Sequence, residues 1–382
     1  LVHDPRFAGR LAYHAMREEP IITTPIAWHP DDAPSRPEIG PWSESDTVRA
    51  ASWLGREWSL DVTSGLVSEA IGTVARKVIV DPLRDYLDGR LNKWDGVPRL
   101  ETWLSTYLGA RDTPYTRAIG KRWLVSAVAR AMRPGCKVDC VLVLEAMQGR
   151  GKSTALRKLC PFDDLFFDDD LPLGSKDAAQ NIAGKWIVEM GELTALSRYE
   201  LTVAKAFITR QVDHYRPSYG RMARDFPRHC VFAGSTNEIE YLRDDENRRF
   251  WPVKCGRIDT DAIERDRDQL WSEAVEAFDG GFRWYVDTPE LAALCREEQE
   301  QRAQSDPWEE HIALWLAGQF DKAGRECQAG LLGARECPCV RCAGVTVSGV
   351  LHGAVGLEKA KQDKREEMRC ALILRRLGWT RG

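Results

Sequence analysis

Between Ser45 and Met132 apolar residues recur every three or four positions. The stretches DTVRAASWLGREW, LVSEAIGTVARKV and RAIGKRWLVSAVARAM each gather them on one side of a helix, and the turn-rich LRDYLDGRLNKWDGVPRL connects the second to the third. After Pro134 and Gly135 the pattern changes to short continuous apolar runs: VLVLE at 141–145, LFF at 165–167, WIVEM at 186–190, CVFAGST at 230–236 and WPVKC at 251–255. Such runs suit strands buried on both faces, so the pattern predicts an α/β core with a parallel sheet between helices. Beyond Val286 the helical pattern returns, with PWEEHIALWLAGQF and KREEMRCALILRRLGW bracketing a Gly- and Cys-rich interval. The prolines of TTPIAWHPDDAPSRPEIGPW mark a loop. The predicted organisation is a linker or the end of an upstream domain at 1–44, a helical region at 45–133, the α/β core at 134–286, and a small helical or winged-helix module at 287–382.

Composition narrows the class. The 382 residues carry a net charge of −4, which argues against a protein that coats nucleic acid through overall charge, so any such contact has to be local. No apolar run approaches the roughly 20 residues of a membrane span. The chain begins at Leu1 without a charged-then-apolar signal pattern, which predicts a cytoplasmic protein and leaves room for an upstream part. Eleven cysteines, an odd number, fit reduced thiols better than a disulfide framework. Cys327, Cys337, Cys339 and Cys342 offer four thiolates for a tetrahedral zinc site, but their spacing is not that of paired CxxC motifs, and a Gly-rich loop with free thiols is the preferred reading.

The stretch LVLEAMQGRGKSTALRKL carries the chemistry. Gln148, Gly149, Arg150, Gly151, Lys152, Ser153 and Thr154 follow a predicted strand and open a predicted helix, the context of a phosphate-binding P-loop. Backbone N–H groups of the turn face phosphates, Lys152 reaches the β- and γ-phosphates, and Ser153 holds Mg²⁺, so the expected ligand is ATP with magnesium. Ala146 stands where the strict pattern has glycine, which requires a negative φ there. The alternative is a chance Gly-Lys-Ser turn.

Downstream, KWIVEMGEL is an apolar strand ending in Glu189, with Glu192 three residues later. One carboxylate there positions the metal and the other polarises the attacking water; Glu189 is assigned to the metal and Glu192 to the base. Two solvated acids at a strand exit remain the plainer alternative.

The blocks WDGVPRLETWL (94–104), VARAMRPGCKVD (128–139), the P-loop, GKWIVEMGEL (184–193), DHYRPSYGR (213–221) and NRRFWPV (247–253) resemble, in order and spacing, the virulence-associated protein E family, phage and plasmid P-loop ATPases related to superfamily 3 helicases. The resemblance implies an AAA+ type core, a homo-oligomeric ring, by analogy a hexamer, and work on single-stranded or forked DNA, at times beside a primase-polymerase domain. It also implies that the segment between the acidic strand and the next faces the ring's channel. That segment holds Lys205, Arg210, Arg216, Arg221 and Arg224 among His214, Tyr215 and Tyr219, a basic and aromatic mixture suited to a nucleic-acid strand. A salt-bridged surface with Asp213 and Asp225 is the alternative, and the tyrosines also fit a packing role.

The family likeness makes Asn237, at the end of CVFAGSTNE, a sensor amide for the γ-phosphate or attacking water, and Arg248 and Arg249 an arginine-finger pair acting on a neighbouring subunit. A turn-capping Asn and an internal salt bridge to Asp244 or Asp245 are the local alternatives. The expected function is therefore an ATP-hydrolysing DNA motor of helicase type for a mobile element. A DNA-binding initiator or loader without unwinding, and a small-molecule phosphotransferase, stay open on sequence alone.

Overall fold

The structure is a computed structural model that describes residues 4, 7–26, 40–89, 93–175, 177–191, 198–216, 222–238, 241–242, 247–303, 306–326 and 344–380. The chain forms two compact units, Leu1–Arg302 and Ala303–Gly382.

The first unit begins with a small sheet. β1 (Leu11–His14) and β2 (Glu19–Ile22) pair antiparallel, β3 (Gly40–Pro41) extends the β2 side and β4 (Ile79–Val80) pairs parallel with β1. α1 (Glu44–Trp58) and α2 (Ser64–Ala75) bury Ala50, Trp53, Val67 and Ile71 against Phe7, Leu11 and Ile22 of this sheet region. Ser43 caps α1 through a capping box with Asp46, satisfying two backbone donors that the first turn would otherwise leave open. Leu11–His14 and Glu19–Ile22 are thus strands joined by a turn, unlike a linker, one of the two readings of 1–44. Four-residue strands beside a proline-rich run carry little local signal, and β4, which completes their pairing, arrives far along the chain.

α3 (Pro82–Leu87), α4 (Trp103–Leu108) and α5 (Pro114–Met132) follow. They share one apolar cluster with the parallel-sheet core, whereas α1 and α2 pack in a separate cluster with the small sheet. α5 is buried nearly all round, and indoles stitch it to the sheet: Trp123 Nε1 donates to the Phe232 carbonyl at 2.9 Å and Trp186 Nε1 to the Ala127 carbonyl at 2.9 Å.

The core elements are β5 (Val141–Glu145), α6 (Lys152–Leu159), β6 (Phe166–Phe167), α7 (Asp177–Asn181), β7 (Ile187–Met190), α8 (Arg198–Ile208), β8 (Val212–Tyr215), β9 (Arg224–Pro227), β10 (Val231–Thr236), β11 (Phe250–Lys254) and α9 (Thr260–Asp279). Five strands make a parallel sheet in the order β11-β5-β10-β7-β6, while β8 and β9 form a separate antiparallel ribbon. The pleat sorts side chains by face. Leu142 and Leu144 join α5, α6 and α9, whereas Val141 and Val143 join Leu201, Ala204, Phe207 and Ile208 of α8.

α10 (Pro289–Glu300) packs on β11 and α5, so the first unit continues to Arg302, past the boundary expected at Val286. The second unit contains α11 (Pro307–Glu326), α12 (Val347–Gly353) and α13 (Lys364–Arg376) around Ile312, Leu316, Val350, Leu351, Cys370 and Ile373. Among its described residues it has no strand, so the helical form of the expected module is what these residues display. No helix among the described residues is long and apolar enough to cross a membrane.

Candidate active site

β5 emerges from the core at Glu145, turns through residues 146–151 and continues as α6. Gly149 (φ 77°) and Gly151 (φ 87°) occupy the left-handed region, where a side chain would be strained. Ala146 is not among the residues of positive φ, which is why a Cβ is accepted at that departure from the strict pattern. Gly151 caps α6 without any side-chain hydrogen bond, so the N–H groups of the first turn are not taken up by a capping side chain. The loop after β11 lies over the turn, with Thr260 near Gly151, and Asp259 N–H bonded to the Tyr107 carbonyl at 2.8 Å holds that loop to α4.

Lys152 Nζ donates to the carbonyls of Ala146 at 2.6 Å and Met147 at 3.2 Å, folding back along the turn it follows. Burial pushes its pKa below the ordinary lysine value, against the opposing pull of the Cys255 thiol and Glu189. Ser153 Oγ donates to Glu189 Oε1 at 2.8 Å. Glu189 is 3% exposed, and its other oxygen, Oε2, is buried without a hydrogen-bond partner. A buried acceptor with no donor is costly unless something polar or cationic meets it. A hydroxyl and a carboxylate oxygen side by side fit Mg²⁺, which takes few protein ligands and completes its shell with water and phosphate oxygens.

Thr236, the last residue of β10, pairs with Glu145, and its carbonyl accepts the Ala146 N–H at 3.1 Å. Asn237 follows directly and is exposed, at the same end of the strands as the glycine turn at 146–151. Arg248 and Arg249 lie at the opposite end of the strands. Phe250 pairs with Val141, so the two arginines precede β11 where β5 begins, about 13 Å along the strand from its P-loop end. Arg248 is exposed; Arg249 is half-buried, with Nε lacking a partner and its carbonyl accepting the Val141 N–H at 2.8 Å.

The β8–β9 ribbon also sits at that far end of the strands, since β9 runs through residues 228–230 into β10. Arg228 and Asp213 form a buried bidentate pair at 2.6 and 2.7 Å at its base, and Tyr215 stacks on Phe226 across it at 4.1 Å. Arg210 and Arg216 are exposed. Lys205 is not available to a DNA strand: it is 6% exposed, with its ammonium 5.9 Å from the Phe250 ring. Its spacing of four from Leu201 puts it on the buried side of α8, a signal that the basic character of the segment masked. Glu192, Tyr219, Arg221 and the cysteines 327, 337, 339 and 342 lie outside the described residues.

Sequence reasoning missed one further group. Glu145 is bound bidentately by Arg302, Nε to Oε1 at 2.9 Å and Nη2 to Oε2 at 3.1 Å, and accepts the Tyr241 hydroxyl at 2.9 Å. Burial works to lower the Arg302 pKa, but the hydrogen bonds and charges of Glu145 and Glu298 outweigh it and raise it. The Arg302 carbonyl accepts the N–H groups of Tyr241 and Leu242 at 3.1 and 3.0 Å. The last side chain of the P-loop strand is therefore tied to the end of the first unit and to the segment after Asn237.

Residues 87–304 match the family model of the virulence-associated protein E-like domain. No curated protein matches the chain. Among solved structures, the apo structure of the NrS-1 C-terminal region (305-718) is similar at 12% identity and a TM-score of 0.54, covering 94% of this chain and 89% of that one. The A form apo structure of the NrS-1 C-terminal region is similar at 12% identity and a TM-score of 0.53, with 94% and 90% covered; at this identity the likeness is one of fold. Since the family model matches more than half of its residues, the chain belongs to the virulence-associated protein E-like family.

Proposed function

We propose that this protein is an ATP-hydrolysing DNA motor of superfamily 3 type, serving replication of a phage, prophage or plasmid and working as a ring. The observation that carries the reading is the Ser153–Glu189 pair below the P-loop, with a buried carboxylate oxygen still to be satisfied. The insertion of β10 between the P-loop strand and the acidic strand supports an AAA+ core. Lys152 would exchange its carbonyl partners for β- and γ-phosphate oxygens, which are charged and stronger acceptors. Ser153 and Glu189 would hold magnesium, which supplies neutralisation of phosphate charge. Glu192 is the proposed base and Asn237 the amide that orients the attacking water.

The arrangement favours action across a subunit boundary. Arg248 and Arg249 stand a strand length from their own P-loop, so in this reading they complete a neighbour's site, Arg248 being the exposed member. The ribbon lies at that same far end of the strands, where Arg210 and Arg216, with Tyr219 and Arg221 of its connecting segment, would track single-stranded DNA. β10 joins ribbon to Asn237 by one stiff element, a direct route from DNA contact to hydrolysis.

The test is ATP turnover with and without single-stranded DNA, on protein sized in the presence of ATP. Stimulated hydrolysis by an oligomer is expected; hydrolysis indifferent to DNA, by a monomer, would overturn the motor. Glu189→Gln is expected to demand about ten- to a hundredfold more Mg²⁺ for half-maximal turnover, measured by metal titration, since a neutral amide is a poorer partner for the ion. An unchanged titration would move the metal elsewhere.

A further inference from the structure

Tyr13 to Glu18 carry the turn between β1 and β2, outside the segment matched by the family. Two consecutive residues of this turn reach in different directions. Arg17 pairs with Asp164 and packs on Gly184, where a Cβ would come within 2.6 Å of its Cγ, so residue 17 is seated on the parallel-sheet core. Glu18 reaches the ribbon: its carboxylate meets Arg224 at 3.3 Å, and its carbonyl and the Tyr13 hydroxyl accept from the same guanidinium at 3.4 and 3.5 Å. Tyr13 itself donates to the Glu18 carbonyl at 2.6 Å and accepts from Arg76, the residue that ends α2, at 3.1 Å, which ties the arrangement back to the N-terminal sheet. Arg224 lies over Phe226, the ring on which Tyr215 stacks.

Glu18 has φ 50°, a conformation that costs a non-glycine residue energy. Glycine would serve the turn better if the turn alone mattered; the glutamate supplies the carboxylate that meets Arg224. Beside the contact lies a small cavity of about 30 Å³ lined in part by Met16, Glu18, Tyr215 and Phe226.

We propose that the β1–β2 turn is the mount of the ribbon, with Glu18 as a positioning residue that fixes the ribbon's angle to the core through Arg224, and that the N-terminal sheet thereby tunes the response of hydrolysis to DNA. The second half of this statement rests on the motor reading above; the first half stands on geometry. Detaching the mount leaves the P-loop, Glu189 and Asn237 untouched but lets the ribbon swing without pulling on β10.

The experiment uses the full chain with Glu18→Gln, which keeps the shape and loses the charge, and Glu18→Gly, which also relieves the turn. Amide hydrogen exchange is followed over 212–216 and 222–227, and ATP turnover is measured with and without an oligothymidine strand. Both variants are expected to exchange about two- to fivefold faster in the ribbon, to keep unstimulated turnover, and to lose most of the stimulation by DNA. Glu18→Gly should do so without loss of thermal stability, which a merely structural role would not allow, and Glu18→Arg combined with Arg224→Glu should restore slow exchange. Ribbon exchange equal to wild type in both variants would overturn the mount; faster exchange with full DNA stimulation would overturn its link to hydrolysis. A wild-type chain that does not hydrolyse ATP would sink the motor reading instead, with the exchange data still deciding the mount.

Discussion

Lys152→Ala is expected to lower ATP turnover by at least about 10²-fold, because the γ-phosphate loses the cation that follows charge as it develops on the transferred group. The fold should survive: Lys152 is half-buried at the surface of the P-loop turn, and its hydrogen bonds go to two carbonyls that solvent can satisfy. If the proposed ring forms, the variant also tests it. A chain with Arg248→Ala and Arg249→Ala should be inactive alone, yet a mixture with Lys152→Ala chains should recover part of the activity, since an intact P-loop then meets intact arginines across a boundary. Recovery must depend on concentration, as mixed rings form by association. Near-normal turnover in folded Lys152→Ala would remove the P-loop assignment. A mixture that stays inactive while mixed oligomers are seen by gel filtration would remove the trans role, even though Arg248 and Arg249 stand away from their own P-loop.

Arg302→Gln is expected to cost about 3–5 kcal/mol of stability, since removing one partner of a buried ion pair leaves Glu145 as an uncompensated charge beside the core. Glu145 and Arg302 side chains are each only 10% exposed, so water cannot replace the lost guanidinium. Replacing both, as Glu145→Gln with Arg302→Met, should return much of the loss, because the desolvation cost of the pair disappears with its attraction. Chemical denaturation of the two single variants and the double one measures the coupling. If the double variant is as unstable as the sum of the singles, the pair is not the unit that the geometry suggests. The effect should also reach the site, because Glu145 is the residue from which the P-loop turn starts and Arg302 holds the segment following Asn237.

The core was legible in the sequence because its information is local. The apolar run Val141–Glu145, the glycines after it and the helix from Lys152 are neighbours in the chain, and a strand buried on both faces needs only its own composition to announce itself. The same holds for β7, whose next-to-last residue is the acid that meets Ser153, and for β10, which ends one residue before Asn237. The bounds of the five core strands therefore follow within a residue or so from periodicity and turn chemistry alone.

What tertiary structure decided is where those pieces stand relative to one another. Asn237 and Arg248 are close in sequence, yet they lie at opposite strand ends of the sheet, because β10 and β11 both run parallel to β5 and the chain must return to the other end between them. Lys205 belongs to a basic segment but is buried, since its helical phase and not its charge chose its side of α8. The strand at Leu11–His14 pairs with Ile79–Val80, far along the chain, and Glu145 pairs with Arg302; no spacing rule within one element reports such pairings. Local periodicity determines which way a side chain faces from its own element. Which distant element it then meets is settled by topology, through burial and hydrogen bonds that exist only when the whole chain has closed around them.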